Sequence, residues 1–323
     1  MSRVTWALMF VGIALVILLV VWQGADRIGE TLGRAGWGLC WLGLLYIPPL
    51  LLLSRSWSIL FPLGGRPGFK SIIVATWIGN AINWMLPVAQ IGGDFAKAIW
   101  LSRRGYHGPT VGAATLVDKT LQATAQVFVS LIGAGLFVQQ IGNTDWIFRI
   151  LVFCILLLIS LYFFFRLQKG GLVTRLTGII LRMGKGREFL NLAGGARQLD
   201  DCVREIYSNY SNLGWSLIGR VVARLMISGE VLLALYLMGY PVSLAEAVLI
   251  ETLGQTVKAA SFMVPGSYGV QEGGFILIGA LLGLPTGLAL ALALAKRTRE
   301  WMVGIPALGY WYWNENRLAF QDR

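Results

Sequence analysis

The sequence predicts an all-α polytopic membrane protein, with about six transmembrane helices, two proline-broken re-entrant hairpins in an inverted repeat, and a cytoplasmic amphipathic helix. Three observations predict it. The 323 residues are 56% hydrophobic and only 13% charged, a balance that soluble domains rarely show. Long apolar runs recur at 4–22, 37–61, 110–138, 146–165, 213–239 and 284–312, and about 20 helical residues cross a hydrocarbon core of about 30 Å. The third observation is a motif that occurs twice inside apolar sequence. Pro87 is followed seven residues later by Asp94, and Pro265 seven residues later by Glu272.

Taken in order, the run 4–22 starts with Arg3 but lacks a small-x-small cleavage site, so it reads as a retained span. The run 37–61 crosses next. In 71–101, the arm before Pro87 is about 24 Å long as a helix and 94–101 only about 12 Å. Neither crosses comfortably, so a chain that enters, breaks and returns fits better. Spans 110–138 and 146–165 follow. Within 167–212, Phe189, Leu192, Ala196, Leu199, Val203, Ile206 and Tyr210 recur at helical spacing, with Arg197, Asp200, Asp201, Arg204 and Glu205 around the rest. That pattern suits a helix lying on the inner leaflet, or a docking face at 188–210 for a second protomer or a lipid-biosynthesis partner. Span 213–239 leads to the second hairpin, 243–284, whose first arm 243–264 is long enough to span fully. The last span is 284–312. The chain 1–323 reads as a single integral membrane domain, with repeat 1 at about 71–138 and repeat 2 at about 243–312.

Charge sets the expected orientation. Segments 62–70, 102–109 and 167–212 are basic, whereas 139–148 and 240–242 contain no Lys or Arg. Basic loops stay on the cytoplasmic side, which places both termini in the cytoplasm. The net charge of +11 is thereby a topology signal, and no nucleic acid is expected. Tyr310, Trp311, Tyr312 and Trp313 then form an aromatic belt at the cytoplasmic end of the last span. Cys40, Cys154 and Cys202 have no metal-like spacing, and no metal or cofactor is expected.

The two copies agree beyond their prolines. Seven residues before each proline stands a polar residue, Asn80 or Lys258; twenty-four after each acid begins a charged pair, Asp118–Lys119 or Lys296–Arg297. Three spans separate the copies, so they face opposite sides, an arrangement that transporters use to build one site near the midplane. Asp94 and Glu272 are expected to approach each other there. Gly92–Gly93 lets backbone N–H groups reach a ligand at the start of a half-helix, although Asp94 and Glu272 also read as simple helix caps.

Each charge near the bilayer centre costs about 2.5–3.5 kcal/mol, so Lys97, Lys119, Lys258, Lys296, Arg297 and Arg299 demand partners. Glu251 with Lys258, and Lys296 with Glu300, have the spacing to pair along one helix. Cations still outnumber acids, which suits an anionic lipid head group. The candidate ligand-binding set is Asn80, Gly92, Gly93, Asp94, Lys97, Asp118, Lys119, Lys258, Pro265, Gly266, Glu272, Lys296 and Arg297.

Pro87, Gly92, Gly93, Asp94, Asp118–Lys119, Pro265, Gly266, Gly269, Glu272 and Arg297 carry a resemblance over essentially the whole chain. It resembles the flippase-like membrane family that includes the N-terminal transmembrane domain of lysylphosphatidylglycerol synthases. The stretch "VPGSYGVQEGGF" is most similar to the subgroup linked with hopanoid biosynthesis. The resemblance implies translocation of a phospholipid or hopanoid-type lipid, or a supporting membrane role. It does not imply aminoacyl transfer, because the separate catalytic domain of the long synthases is not expected in a chain ending eleven residues after Tyr312. Lys119 stands where the family pattern has arginine, which removes a bidentate phosphate contact.

A lipid translocator is therefore the leading expectation. A non-catalytic assembly or scaffold factor remains open, and so does a membrane enzyme using Asp94 and Glu272. No H-E-x-x-H, P-loop or Ser–His pairing is present in the sequence to support catalysis.

Overall fold

The computed structural model describes residues 24–86, 92–141, 188–260 and 267–321, with parts of 14–22 and 155–170. Among the described residues every regular element is a helix. Most of the predicted spans 4–22 and 146–165 lies outside them, as do Pro87, Pro265 and Gly266.

Helix α1 (Ala25–Ala35) leads through a 3-10 turn (Gly36–Leu39) into α2 (Cys40–Leu45) and α3 (Ile47–Ser58). Pro48 and Pro49 open α3, where their missing N–H groups leave no helical bond unmade. Together Ile28–Ser58 make an apolar stretch long enough to cross a membrane, as do Gly108–Gln139.

The first predicted hairpin is α4 (Phe69–Met85) and α5 (Gly92–Ser102). The two helices run antiparallel in close contact: Gly79 faces Gly93 and Lys97, and the Gly93 N–H donates to Asn83 Oδ1 at 2.8 Å. A Cβ on Gly93 would fall on the Gly79 carbonyl. Gly93→Ala should therefore push the arms apart and destabilise the protein by about 1–3 kcal/mol, the usual cost of overpacking. Gly273, also helical, has open space around it, so Gly273→Ala should be neutral or slightly stabilising. Melting temperatures of the two variants in detergent check this; equal values would refute the close approach.

Helix α6 (Gly108–Ile141) is followed by α7 (Glu188–Ser208). The amphipathic periodicity of α7 is present, and the described part of its apolar face, from Leu199 to Tyr207, packs on α6 where a leaflet was expected. Leu199 meets Gly112, and Val203, Ile206 and Tyr207 are buried in one core with Val111, Ala114 and Val117. Tyr210 is not part of that face. It is exposed and opens the next helix, α8 (Tyr210–Met226), which Asn209 caps by accepting the Asn212 N–H at 3.1 Å. The predicted span 213–239 is α8 plus α9 (Ser228–Leu237), divided at Ile227.

The second hairpin is α10 (Leu244–Ala260) and α11 (Val270–Leu281). These also run antiparallel, with Gly254 against Phe275 and Gly274 against Val257. Ser243 and Glu246 form a reciprocal cap at the start of α10. Gly269, at φ 79°, turns the chain into α11, a backbone shape that favours glycine. The last helix, α12 (Thr286–Gln321), contains Pro306.

Packing between the repeats is reciprocal. The first arm of hairpin 1, α4, lies on α12: Ala81 and Met85 meet Gly304, and the Trp77 Nε1–H donates to the Val303 carbonyl at 2.9 Å. The first arm of hairpin 2, α10, lies on α6: Thr252 meets Gly133, and Ser130 and Thr256 hydroxyls are 2.7 Å apart. Each hairpin thus docks on the long helix that follows the other one. This is the exchange that two-fold-related halves produce.

Candidate functional site

Charged side chains from both repeats converge between the hairpins. In the first, Asp94 on α5 accepts from Lys119 on α6 at 2.7 Å, and lies 3.1 Å from Lys97. Lys97 also donates to Asp118 at 2.7 Å, and Asp118 is ion-paired with Arg220 of α8. In the second, Glu272 on α11 accepts from Arg297 on α12 at 2.8 Å. Arg297 also reaches Glu300 at 3.0 Å, and Glu300 accepts from Lys258 of α10 at 2.6 Å. Asp94–Lys119 and Glu272–Arg297 are both acid–base pairs separated by 25 residues. The matched spacing seen in the sequence is therefore a matched contact.

Some expected pairs form differently. Glu251 does not pair with Lys258, nor Lys296 with Glu300. Lys296 instead donates to Glu251 across the helix interface at 2.6 Å and lies 3.6 Å from Glu230 of α9. Helical spacing makes the within-helix pairs possible, but cross-helix partners bury both charges and tie elements together. Among the described residues Asp94 and Glu272 share no partner. Glu272 is fully buried, accepts the Gly269 N–H at 2.7 Å and holds Arg297, so it is both a cap and an anchor.

A cavity of ≈190 Å³ lies between these groups. Of the expected residues, Asn80, Lys97, Asp118, Lys119 and Lys258 line it. Asp94 stands behind Lys97 and Lys119. Glu272, Lys296 and Arg297 do not line it; they are buried and held in ion pairs. Gly93 lies at the α4–α5 contact with its amide taken by Asn83, so it offers that group to no ligand. Gly92 begins α5. Pro265 and Gly266 fall outside the described residues.

The cavity wall also holds residues outside the expected binding set. Arg220 and Arg224 come from α8, Arg299 from α12, Tyr46 and Trp84 from α2–α4, and Gln122, Gln126 and Gln255 from α6 and α10. Asn80 donates to the Tyr46 hydroxyl at 2.9 Å. The Arg299 guanidinium lies over the Tyr46 and Trp84 rings, 4.6 and 4.8 Å from their centroids, and within 3.3 Å of Glu230. Arg224 differs from the rest. It donates to Gln126 Oε1 at 2.6 Å, and among the described residues it has no carboxylate partner. From Asp118, Gln122, Gln126 and Ser130 recur every four residues, a polar stripe of about 18 Å along α6. Gln122 donates to Asp118 and Gln126 to Ser130.

Among the described lining residues six are cations (Lys97, Lys119, Arg220, Arg224, Lys258, Arg299), against the single carboxylate of Asp118. Including the charges behind the wall, eight cations face six carboxylates. Among the described residues no His/Cys/Asp/Glu group has a metal-binding arrangement. The chemistry on offer is recognition of an anion.

Residues 9–307 match the family model described as the lysylphosphatidylglycerol synthase TM region. The chain belongs to this family. It is similar over 311 residues, at 25% identity, to a UPF0104 membrane protein of Methanothermobacter thermautotrophicus, covering 90% of this chain and 88% of that one. It is also 27% identical over 121 residues to a UPF0104 membrane protein of Pyrococcus horikoshii, a match that spans 36% of each chain. No solved structure matches it. The family resemblance read from the glycine–acid motifs is thus correct, and the chain is a helical membrane protein.

Proposed function

We propose that this chain is a lipid translocator that receives a lipid phosphate in the central cavity and passes the head group across the cytoplasmic membrane. The observation that carries the reading is the cavity wall, with six cations and one carboxylate drawn from both repeats. Charges at that depth are expensive and mark transport paths in membrane proteins. A volume of ≈190 Å³ is below the roughly 300–1,000 Å³ of sites that enclose whole small molecules. It suits a head group whose acyl chains stay in lipid. A phospholipid supplies the anion this wall asks for, whereas a neutral hopanoid-type skeleton does not.

The reciprocal packing fits two hairpins that enter from opposite sides and meet near the midplane, the architecture of alternating-access carriers. In that setting the ion pairs have a purpose. When the cavity is empty, Asp94, Asp118 and Glu300 hold Lys119, Lys97 and Lys258. An arriving phosphate competes with these carboxylates, which keeps loaded and empty states within a few kcal/mol and lets the ligand leave.

Purified protein in vesicles with a trace of fluorescent-chain phosphatidylglycerol tests the reading. An impermeant reductant should bleach both leaflets when the protein is present and only the outer leaflet when it is absent. Bleaching confined to the outer leaflet in protein-containing vesicles would return the chain to the scaffold reading.

A further inference from the structure

A second depression lies apart from the central cavity, between α3 and α8, and among the described residues shares no lining residue with it. It encloses ≈520 Å³, within the range of ligand sites, and its walls include Ile59, Trp215, Ile218 and Val222 with Arg55 and Arg66. The helices meet closely at its floor, where a Cβ on Gly219 would collide with Ser56. The apolar side is a single stripe on α8. Trp215 and Ile218 are 63% and 53% exposed, and Val222 follows one turn on. From Asn212 to Val222 the groove runs about 15 Å, half the thickness of a hydrocarbon core.

A lipid-facing surface explains the apolar stripe but not the arginines. Arg66 is half-buried, its Nε has no hydrogen-bond partner, and its Nη2 makes only a 3.4 Å bond to the Phe61 carbonyl. Arg55 is exposed and lines the same groove. Among the described residues neither arginine has a carboxylate partner. Two uncompensated guanidinium groups beside an apolar channel are complementary to a molecule with an anionic head and a hydrocarbon tail.

We propose that this groove binds one anionic phospholipid, with its phosphate on Arg55 and Arg66 and an acyl chain laid along Ile59, Ile218 and Val222. Asn212 and the Trp215 ring stand at the head-group end, where an amphipathic ring anchors at the membrane interface. Its occupant is held rather than transported, because the charged ladder between the hairpins is not connected to it. The proposal is therefore independent of translocation through the central cavity.

Trp215 reports on the groove. The chain has 13 tryptophans, so the signal is the difference in fluorescence between the unsubstituted protein and its Trp215→Phe variant. In nanodiscs of unbrominated phosphatidylcholine, brominated-chain phosphatidylglycerol is added at low mole fraction and compared with brominated-chain phosphatidylcholine. The difference signal should be quenched at a lower fraction of the anionic lipid, by about five-fold for each arginine engaged. In Arg55→Gln/Arg66→Gln the two lipids should quench alike, with quenching by phosphatidylcholine unchanged, which shows that the groove is intact. Arg55→Gln alone, at an exposed position, should lose part of the preference and serves if the double variant misfolds. Millimolar inorganic phosphate should not relieve quenching. Equal quenching by both lipids in the unsubstituted protein would overturn the proposal, as would a preference that survives both substitutions. Displacement by inorganic phosphate would make this a free-phosphate site and overturn it equally.

Discussion

Asp118→Asn is expected to lower the stability of the folded protein by about 3–5 kcal/mol, the range for removing one partner of a buried ion pair. Asp118 is 1% exposed, and it holds two cations that are nearly as buried, Lys97 at 4% and Arg220 at 2%. Asparagine keeps the side-chain volume, so a void cannot account for the loss. What changes is charge: Lys97 retains Asp94, but Arg220 keeps no carboxylate within ion-pair distance among the described residues. Removing a stranded cation as well should recover part of the deficit, so Asp118→Asn/Arg220→Met should melt above Asp118→Asn. Asp26→Asn, on the exposed side of α1, is the control and should melt like the unsubstituted protein. Thermal unfolding in detergent reads all three. An Asp118→Asn protein with an unchanged melting temperature would mean that the charge cluster contributes nothing to the fold.

The second large effect separates function from folding. Arg224→Gln should slow lipid translocation by about ten- to a hundred-fold, the equivalent of one charge-assisted hydrogen bond of about 1.5–3 kcal/mol. Arg224 is the cavity cation that spends its guanidinium on an amide, Gln126, rather than on an acid. It can therefore turn to a phosphate without leaving a carboxylate unpaired. For the same reason its replacement strands no partner charge, and the melting temperature should hold. Glu272→Gln is the counterpart. Glu272 does not line the cavity and anchors both Gly269 and Arg297, so that variant should lose stability first and transport only in consequence.

The matched offsets were legible in the sequence because charges are scarce in apolar runs. The two acid–base pairs spaced by 25 residues stood out, and the structure closes both. Pairings were harder to read. Periodicity describes neighbours on one helix, so Glu251 and Lys258 looked like partners, whereas packing gave each a base or acid on α12. Arg220, Arg224 and Glu230 went unnoticed because the run 213–239 is apolar enough overall to read as a plain span; the four-residue spacing of the two arginines was the available signal. Glycine is ambiguous in a similar way. Gly92–Gly93 carries the same letters whether backbone approaches a ligand or another helix, and at Gly93 it is Gly79 of α4 that approaches. The α7 periodicity likewise cannot distinguish a leaflet from the flank of α6.

The most direct test of the central claim is a density map of the protein in nanodiscs containing phosphatidylglycerol. Phosphate density is expected in the cavity between the hairpins, within hydrogen-bond reach of Arg224 and of Lys119 or Lys258, with acyl density leaving toward the bilayer. A cavity holding only water while ordered phosphatidylglycerol is seen elsewhere on the protein would contradict it.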